Sequence, residues 1–181
     1  MENKKADIEQ LLRLLYDNFK TYFNNGNIIV SGSVLYEKLG LIKEKSSWTD
    51  LDISINTGEY GDKILDEMIT FFEKSRRYRM TIQEEEPRRG TVKTPFGLLD
   101  IFREDFSPYI PIDLEIFPDV HLTYHGEERI LEILVDCYYL FLYDSNINQC
   151  VKMGNTIREI YPNIKTDIQD KELVKKLKTI L

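Results

Sequence analysis

Cysteine and histidine are scarce in this chain, with two of each in 181 residues. Cys137 and Cys150 have no neighbours at the spacing of a zinc site, so we expect buried or unreactive thiols. His121 and His125 are four residues apart, but no acid completes the familiar zinc motif around them. The Ser-His-Asp arrangement, the dinucleotide-binding glycine fingerprint and the Walker-type loop are also absent. These absences argue against thiolate zinc sites and against several large enzyme classes.

Long apolar runs are missing as well. The longest, Ile130 to Tyr143, is interrupted by Glu132 and Asp136 and is shorter than the roughly 20 residues of a membrane span. We interpret it as a core helix and expect its aromatic residues to be buried: Tyr138, Tyr139, Phe141 and Tyr143. The first seven residues lack the basic start and apolar run of a secretory signal. The sequence thus predicts no membrane span and residence in the cytoplasm.

Basic residues are outnumbered, with 24 Lys and Arg against 31 Asp and Glu and a net charge of −7. Polyanion binding relies on clustered Lys and Arg that release counterions, so broad contact with long nucleic acid is disfavoured. A small nucleotide held through metal ions remains compatible with this charge. The 42% of hydrophobic residues is ample for a core. A length of 181 residues, without repeat or linker, predicts a single domain over the whole chain.

Hydrophobic periodicity predicts both helices and strands along the chain. Helices are expected at 6–23, 34–39, 64–72 and 127–143, with a helical tail reaching residue 181. Strands are expected at 27–31, 51–55, 98–102 and 112–116, with hairpin turns at 87–90 and 95–97. The pattern predicts an α/β (α+β) fold with a mixed sheet flanked by helices. Its core would occupy about 27–116 and its helical C-terminal part about 127–181.

The segment from Asp50 to Ile55 alternates polar and apolar residues. Such alternation is typical of a half-buried strand, in which residues i and i+2 point to the same face. Asp50 and Asp52 therefore lie near enough for both to coordinate one divalent cation. Carboxylate oxygens suit Mg²⁺ or Mn²⁺. The pattern predicts a metal site on this strand.

Gly32-Ser33 ends the preceding apolar strand and opens a helix. Glycine lets the backbone approach a ligand closely, and the helix that follows offers unpaired N–H groups to phosphate oxygens. The hydroxyl of Ser33 adds a further contact. We therefore expect Gly32 and Ser33 to lie where the phosphate oxygens of a ligand could approach the backbone.

A third carboxylate is expected, because transfer reactions with two metal ions usually need more than two acids. Asp100, between Leu99 and Ile101, is the preferred candidate because the turn at 95–97 would fold its strand back against the central sheet. Asp113 is the alternate, since it too is an acid within an apolar run.

Three features occur in a fixed order along the chain: Gly32-Ser33 after an apolar strand, the Asp50-Leu51-Asp52 strand, and a later acid between hydrophobic residues. Together they resemble the signature of the nucleotidyltransferase superfamily, which has a DNA polymerase beta-like fold. The superfamily includes poly(A) polymerases, family X DNA polymerases, aminoglycoside nucleotidyltransferases and nucleotidyltransferase toxins. The resemblance covers roughly residues 27–116. It implies that Gly32 and Ser33 hold the triphosphate and that Asp50 and Asp52 bind metal. The third acid would complete the site and help to activate the attacking hydroxyl.

One departure from this signature concerns the helix after Gly32-Ser33. Glu37-Lys38 stands where many nucleotide-polymerising members carry an arginine. The basic residues that could compensate, or that simply form a solvated face, are Arg76, Arg77, Arg79, Arg88, Arg89 and Lys93. Trp48, just before the acids, is expected either to stack on a base or to anchor its loop.

A narrower resemblance is to the LicD-type phosphotransferases, which transfer phosphate-linked groups onto glycans. This resemblance rests on Leu39-Gly40, the segment 47–53 and the segment 99–102. The stretch 46–49 departs from that family, which usually has an acidic, proline-containing loop there. The resemblance implies a nucleotide-linked donor other than a plain nucleoside triphosphate.

The sequence therefore predicts a metal-dependent nucleotidyltransferase with Mg²⁺ or Mn²⁺ as cofactor and a nucleoside triphosphate as donor. Its catalytic residues would be Asp50, Asp52 and Asp100. The acceptor stays open among a small molecule, a protein side chain, an RNA end and a glycan. Two alternatives also stay open. One is an inactive nucleotidyltransferase-like module that binds a nucleotide or a protein partner, and the other is a LicD-like phosphotransferase.

Overall fold

The computed structural model describes residues 4–57, 61–83, 89–107 and 109–181. Its contacts divide the chain into two compact units. The first contains Met1–Lys38 and Glu44–Tyr124, and the second contains Leu39–Lys43 and His125–Leu181. In the described ranges, no helix has both the length and the apolar character that crossing a membrane requires. The expectation of a single domain stays a prediction.

The predicted helices and strands occur in the predicted order, and the structure adds a strand at 120–124. The six helices of the described residues are α1 (Lys4–Asn24), α2 (Gly32–Lys38), α3 (Gly61–Glu73), α4 (Glu127–Tyr143), α5 (Ile147–Ile160) and α6 (Lys171–Ile180). In the same described ranges, the seven strands are β1 (Ile28–Ser31), β2 (Asp50–Asn56), β3 (Arg79–Gln83), β4 (Arg89–Thr94), β5 (Gly97–Glu104), β6 (Ile112–Phe117) and β7 (Val120–Tyr124). Helix α2 begins at Gly32 rather than at residue 34, so that Gly32 and Ser33 belong to the helix itself.

The first unit contains a five-stranded sheet in the order β1-β2-β5-β4-β3 and a two-stranded sheet of β6 and β7. Strands β2 and β5 are parallel, and every other neighbouring pair is antiparallel. The predicted α+β class with a mixed sheet is therefore confirmed.

A two-residue turn brings β5 back into the sheet beside β4. Thr94 pairs with Gly97 across Pro95 and Phe96, and Gly97 has a φ of +137°, a conformation that favours glycine. The hydroxyl of Thr94 donates a hydrogen bond to the carbonyl of Gly97 over 2.8 Å. The predicted turn at 95–97 is confirmed. Of the other predicted turn, at 87–90, residues 87 and 88 lie outside the described residues, and residues 89 and 90 belong to β4.

One face of the central strands is buried in the core. Leu51, Ile53 and Ile55 of β2 and Leu99 and Ile101 of β5 are each at most 1% exposed. Helix α1 covers this face with an apolar stripe of period 3.6: Ile8, Leu11, Leu12, Leu15 and Phe19. Each such side chain contributes roughly 1.5–3 kcal/mol through burial. Because strand residues alternate in direction, the acids between these hydrophobic residues must point to the opposite face.

The second unit is helical, and side chains cap its helices. Asn146 accepts a hydrogen bond from the backbone N–H of Gln149 at the start of α5, and Asp170 does the same for Glu172 and Leu173 at the start of α6. A short 3₁₀ turn over Tyr161–Asn163, which contains Pro162, separates the two helices.

The predicted burial of the aromatic residues on α4 is wrong for Tyr143, which is 87% exposed. Tyr138, Tyr139 and Phe141 are half-buried. The buried residues of α4 all lie in its first nine positions: Ile130, Leu131, Leu134 and Val135. The C-terminal half of the helix is apolar in sequence, but the structure buries none of its side chains fully.

His125, just before α4, is buried at 8% exposure. Burial, assisted by the positive charge of Arg129, lowers the pKa of His125 to about 4. The folded chain therefore keeps this imidazole neutral at pH values where the unfolded chain protonates it.

We expect the free energy of unfolding to fall between about pH 6.5 and pH 4, because in this window the unfolded chain binds one more proton at His125. The loss is complete below the folded pKa and amounts to about 3 kcal/mol. Denaturant unfolding at pH 7 and pH 5 measures it. His125→Leu should remove this dependence, whereas His121→Gln should keep it. Parallel pH curves for the wild type and His125→Leu would contradict the assignment.

Candidate metal centre

Asp50, Asp52 and Asp100 lie together on the open face of the five-stranded sheet. The parallel register of β2 and β5 pairs Asp52 with Asp100, and Asp50 is two residues earlier on β2. All three are half-buried, and one carboxylate oxygen of each lies within 4.8 Å of the other two. Among the described residues, no other group of three or more His, Cys, Asp or Glu side chains has this arrangement. The structure thus brings the predicted pair together with the preferred third acid.

The cluster fits a hard divalent cation. Two carboxylate oxygens on one magnesium ion lie at most about 4.2 Å apart, so small side-chain rotations would bring these oxygens onto a shared ion. Without a cation, two unit charges at this separation repel by roughly 3 kcal/mol at an effective dielectric constant of about 20. A bound cation would offset that repulsion. The donor set is all oxygen, which favours Mg²⁺ or Mn²⁺ over zinc.

Two threonine hydroxyls orient the acids. Thr91 on β4 lies opposite Asp100 and donates a hydrogen bond to its Oδ1 over 2.8 Å, and Thr49 donates to Oδ1 of Asp50 over 3.3 Å. Sequence reasoning missed Thr91. The signal was present, because a two-residue turn at Pro95-Phe96 fixes the register that places Thr91 opposite Asp100.

The backbone at Gly32 lies directly against the cluster. Its φ is +72°, and a Cβ atom added there would collide with Oδ2 of Asp52 and lie 2.8 Å from Cγ of the same residue. Glycine is therefore required both for the turn from β1 into α2 and for the space that the Asp52 carboxylate occupies. Ser33 is half-buried at the second position of α2.

Asp113, the alternate third acid, lies elsewhere. It belongs to β6 of the two-stranded sheet, is 64% exposed and forms an ion pair with Nδ1 of His121 over 3.0 Å. The hydrogen bond with Asp113 raises the pKa of His121. The structure therefore places Asp100, and not Asp113, beside Asp50 and Asp52.

The loop that leads into Asp50 is anchored by Glu37 of α2. Its carboxylate accepts hydrogen bonds from Lys5 Nζ over 2.6 Å, from Trp48 Nε1 over 2.8 Å and from the backbone N–H of Lys45 over 3.1 Å. Burial opposes ionisation, but these donors outweigh it and hold the pKa of Glu37 below its usual range. Trp48 is only 3% exposed. Of the two roles expected for Trp48, the structure supports that of a loop anchor.

The basic residues suggested by the sequence occupy different places. Arg79 and Lys93 are strand residues of the five-stranded sheet, paired with each other across β3 and β4. Arg76 and Arg77 lie in the turn after α3. Arg88 lies outside the described residues, and the side chain of Arg89 is likewise not described.

Known proteins resemble this chain in fold more than in sequence. No family model matches it, and no curated protein matches it. The crystal structure of an antigenic nucleotidyltransferase-like protein from Paracoccidioides brasiliensis has a TM-score of 0.58, with 15% identity over 98% of this chain and 87% of that chain. ANT(2'')-Ia in complex with adenylyl-2''-tobramycin has a TM-score of 0.54, with 11% identity over 94% of this chain and 97% of that chain. The chain therefore has the nucleotidyltransferase fold that the sequence resemblance implied.

We expect Gly32→Ala to displace Asp52 and to abolish any stabilisation by Mg²⁺. Gly40→Ala is a matched control, because Gly40 has the same φ of +72° but a Cβ there would meet nothing within 4 Å. The left-handed backbone alone should cost about 1–2 kcal/mol at either position. Denaturant unfolding with and without Mg²⁺ separates the two effects. Equal losses and equal metal responses would show that Gly32 does not constrain Asp52.

Glu37→Ala should destabilise the first unit by about 2 kcal/mol or more, because it leaves buried donors unsatisfied. The chain has one tryptophan, so a red shift of its fluorescence would report exposure of Trp48 directly. Glu44→Ala is the control: Glu44 also contacts Lys5 but is 86% exposed, and its removal should change stability by less than about 0.5 kcal/mol. Similar effects of both substitutions would count against an anchoring role for Glu37.

Proposed function

We propose that this chain is a metal-dependent nucleotidyltransferase that transfers a nucleotidyl group from a nucleoside triphosphate to an acceptor hydroxyl. The observation that carries the proposal is the cluster of Asp50, Asp52 and Asp100, whose oxygens lie within 4.8 Å of one another on a nucleotidyltransferase fold. Mg²⁺ and Mn²⁺ are the cofactors that this donor set suits best.

The reaction is a displacement at the α-phosphorus. The acceptor oxygen forms a bond to this phosphorus, the bond to the oxygen that bridges to the β-phosphate breaks, and pyrophosphate leaves with the bonding electrons. The hydroxyl proton passes to the carboxylate of Asp100. Bound divalent cations would neutralise the charge that develops on the phosphate oxygens. The protein mainly positions the reactants and stabilises charge.

Each residue has a distinct task in this proposal. Asp50 and Asp52 hold the metal, and Asp100 completes the metal site and receives the proton. Thr91 binds Oδ1 of Asp100 and fixes the orientation of its carboxylate. Gly32 and Ser33 lie beside the donor phosphates, in line with the close approach of Gly32 to Asp52.

The comparison with ANT(2'')-Ia supports the reaction class. That protein holds an adenylyl group joined to tobramycin, so this fold accommodates a nucleotidyl group on a small acceptor. For this chain, a small molecule, a protein side chain, an RNA end and a glycan are all acceptors for an activity screen.

The test is calorimetric titration of the full chain with Mg²⁺ or Mn²⁺ and each nucleoside triphosphate, together with thermal unfolding. We expect metal-dependent nucleotide binding, with a stabilisation of about 2.7 kcal/mol at a ligand concentration 100 times Kd. Asp50→Asn/Asp52→Asn and Asp100→Asn should abolish it. Asp113→Asn, which removes an acid remote from the cluster, should not.

Each other outcome has a defined meaning. No binding by the wild type to any triphosphate would leave the inactive module as the better description. Binding only of a nucleotide-linked sugar or choline donor would favour the LicD-like alternative. Loss of binding in Asp113→Asn, with Asp100→Asn intact, would reassign the third acid.

A further inference from the structure

The sheet face that carries the acids continues beyond them across β4 and β3. Leu98 and Phe102 flank Asp100 on β5 at i±2 and therefore share its face, where they are 40% and 38% exposed. Lys93 pairs with Leu98, and Arg79 pairs with Lys93. Both cations are exposed. The face next to Asp100 is thus apolar on its own strand and cationic on the two outer strands.

Lys93 is close enough to Asp100 for both residues to contact one small ligand. It is a diagonal neighbour of Asp100 across an antiparallel pair, which places the two residues about 7–8 Å apart. Arg79 lies one strand further, about 4.8 Å beyond Lys93. Within the described part of the chain, no acid forms an ion pair with either cation. An anion on this face would therefore meet two positive charges that are not neutralised by a described partner.

These cations are not beside the place proposed for the donor phosphates. Gly32 and Ser33 follow β1, which lies on the other side of β2 from β5. Three strand spacings, about 14 Å, separate β1 from β4. Donor phosphates placed beside Gly32 therefore lie on the far side of β2 from Lys93, and the β5-β4-β3 side of Asp100 is left for the acceptor.

From this arrangement, and resting on the proposed function, we infer that the acceptor is a small hydroxyl compound that carries a phosphate or a carboxylate group. Its hydroxyl lies at Asp100, its carbon skeleton contacts Leu98 and Phe102, and its anionic group binds Lys93 and Arg79.

A polyamine acceptor fits this face poorly. Its ammonium groups would be repelled by Lys93 and Arg79. Among the described strand residues of the face, the one acid beyond the cluster is Glu104, about 13 Å along β5 from Asp100. The face therefore selects against the type of acceptor seen as adenylyl-2''-tobramycin in ANT(2'')-Ia.

The test measures transfer of label from an α-³²P nucleoside triphosphate to matched probes by the full chain with Mg²⁺. Glucose 6-phosphate is compared with glucose, gluconate with sorbitol, and tobramycin serves as the polyamine. The first pair tests a phosphate and the second a carboxylate. We expect transfer to at least one anionic probe, with kcat/KM about tenfold or more above that of its neutral counterpart and of tobramycin.

Arg79→Ala/Lys93→Ala should raise KM for the anionic probe about tenfold or more, with donor affinity unchanged. The control Lys74→Ala/Lys152→Ala also removes two positive charges, but from exposed positions elsewhere. It should leave KM within about twofold. Transfer preferring a neutral or polyamine probe, no transfer to any anionic probe with donor binding intact, or an equal effect of the control pair would overturn the inference. If the wild type shows no metal-dependent donor binding, the result would instead overturn the proposed function on which this inference rests.

Discussion

The parallel pairing of β2 with β5 is the interaction on which the site depends. It sets Asp52 beside Asp100 and at the same time places Leu51, Ile53, Leu99 and Ile101 in the core. The two outcomes are inseparable, because a strand slip of one residue would exchange the two faces. Burial of these side chains therefore provides the free energy that holds three mutually repelling carboxylates together in the absence of a cation.

Packing around this pair constrains the remaining parts of the site. Gly32 leaves room for Asp52, and Thr91 fixes one oxygen of Asp100. Glu37 joins α2 to the loop that precedes Asp50. Gly32 and Glu37 act from the two ends of α2, and Thr91 acts from β4. The site is thus preorganised by the whole first unit rather than by one motif.

Local patterns predicted a large part of this arrangement. Alternation along 50–55 is a property of a single strand, so the shared face of Asp50 and Asp52 followed from the sequence. The choice between Asp100 and Asp113 depended on sheet order, because both are acids within apolar runs and only pairing with β2 distinguishes them. The exposure of Tyr143 could not be predicted from the sequence for a similar reason. Helical periodicity identifies an apolar face but not the length over which another element covers it.

The separation of the acids along the chain determines when the complete cluster forms during folding. Asp52 and Asp100 are 48 positions apart, so an unfolded chain holds them close together only rarely, and closing such a loop carries an entropic cost. A cation therefore finds a complete set of ligands only after β2 and β5 have paired. Under the proposed metal binding, a cation would slow unfolding rather than speed folding, because its ligands come together only after the sheet has formed.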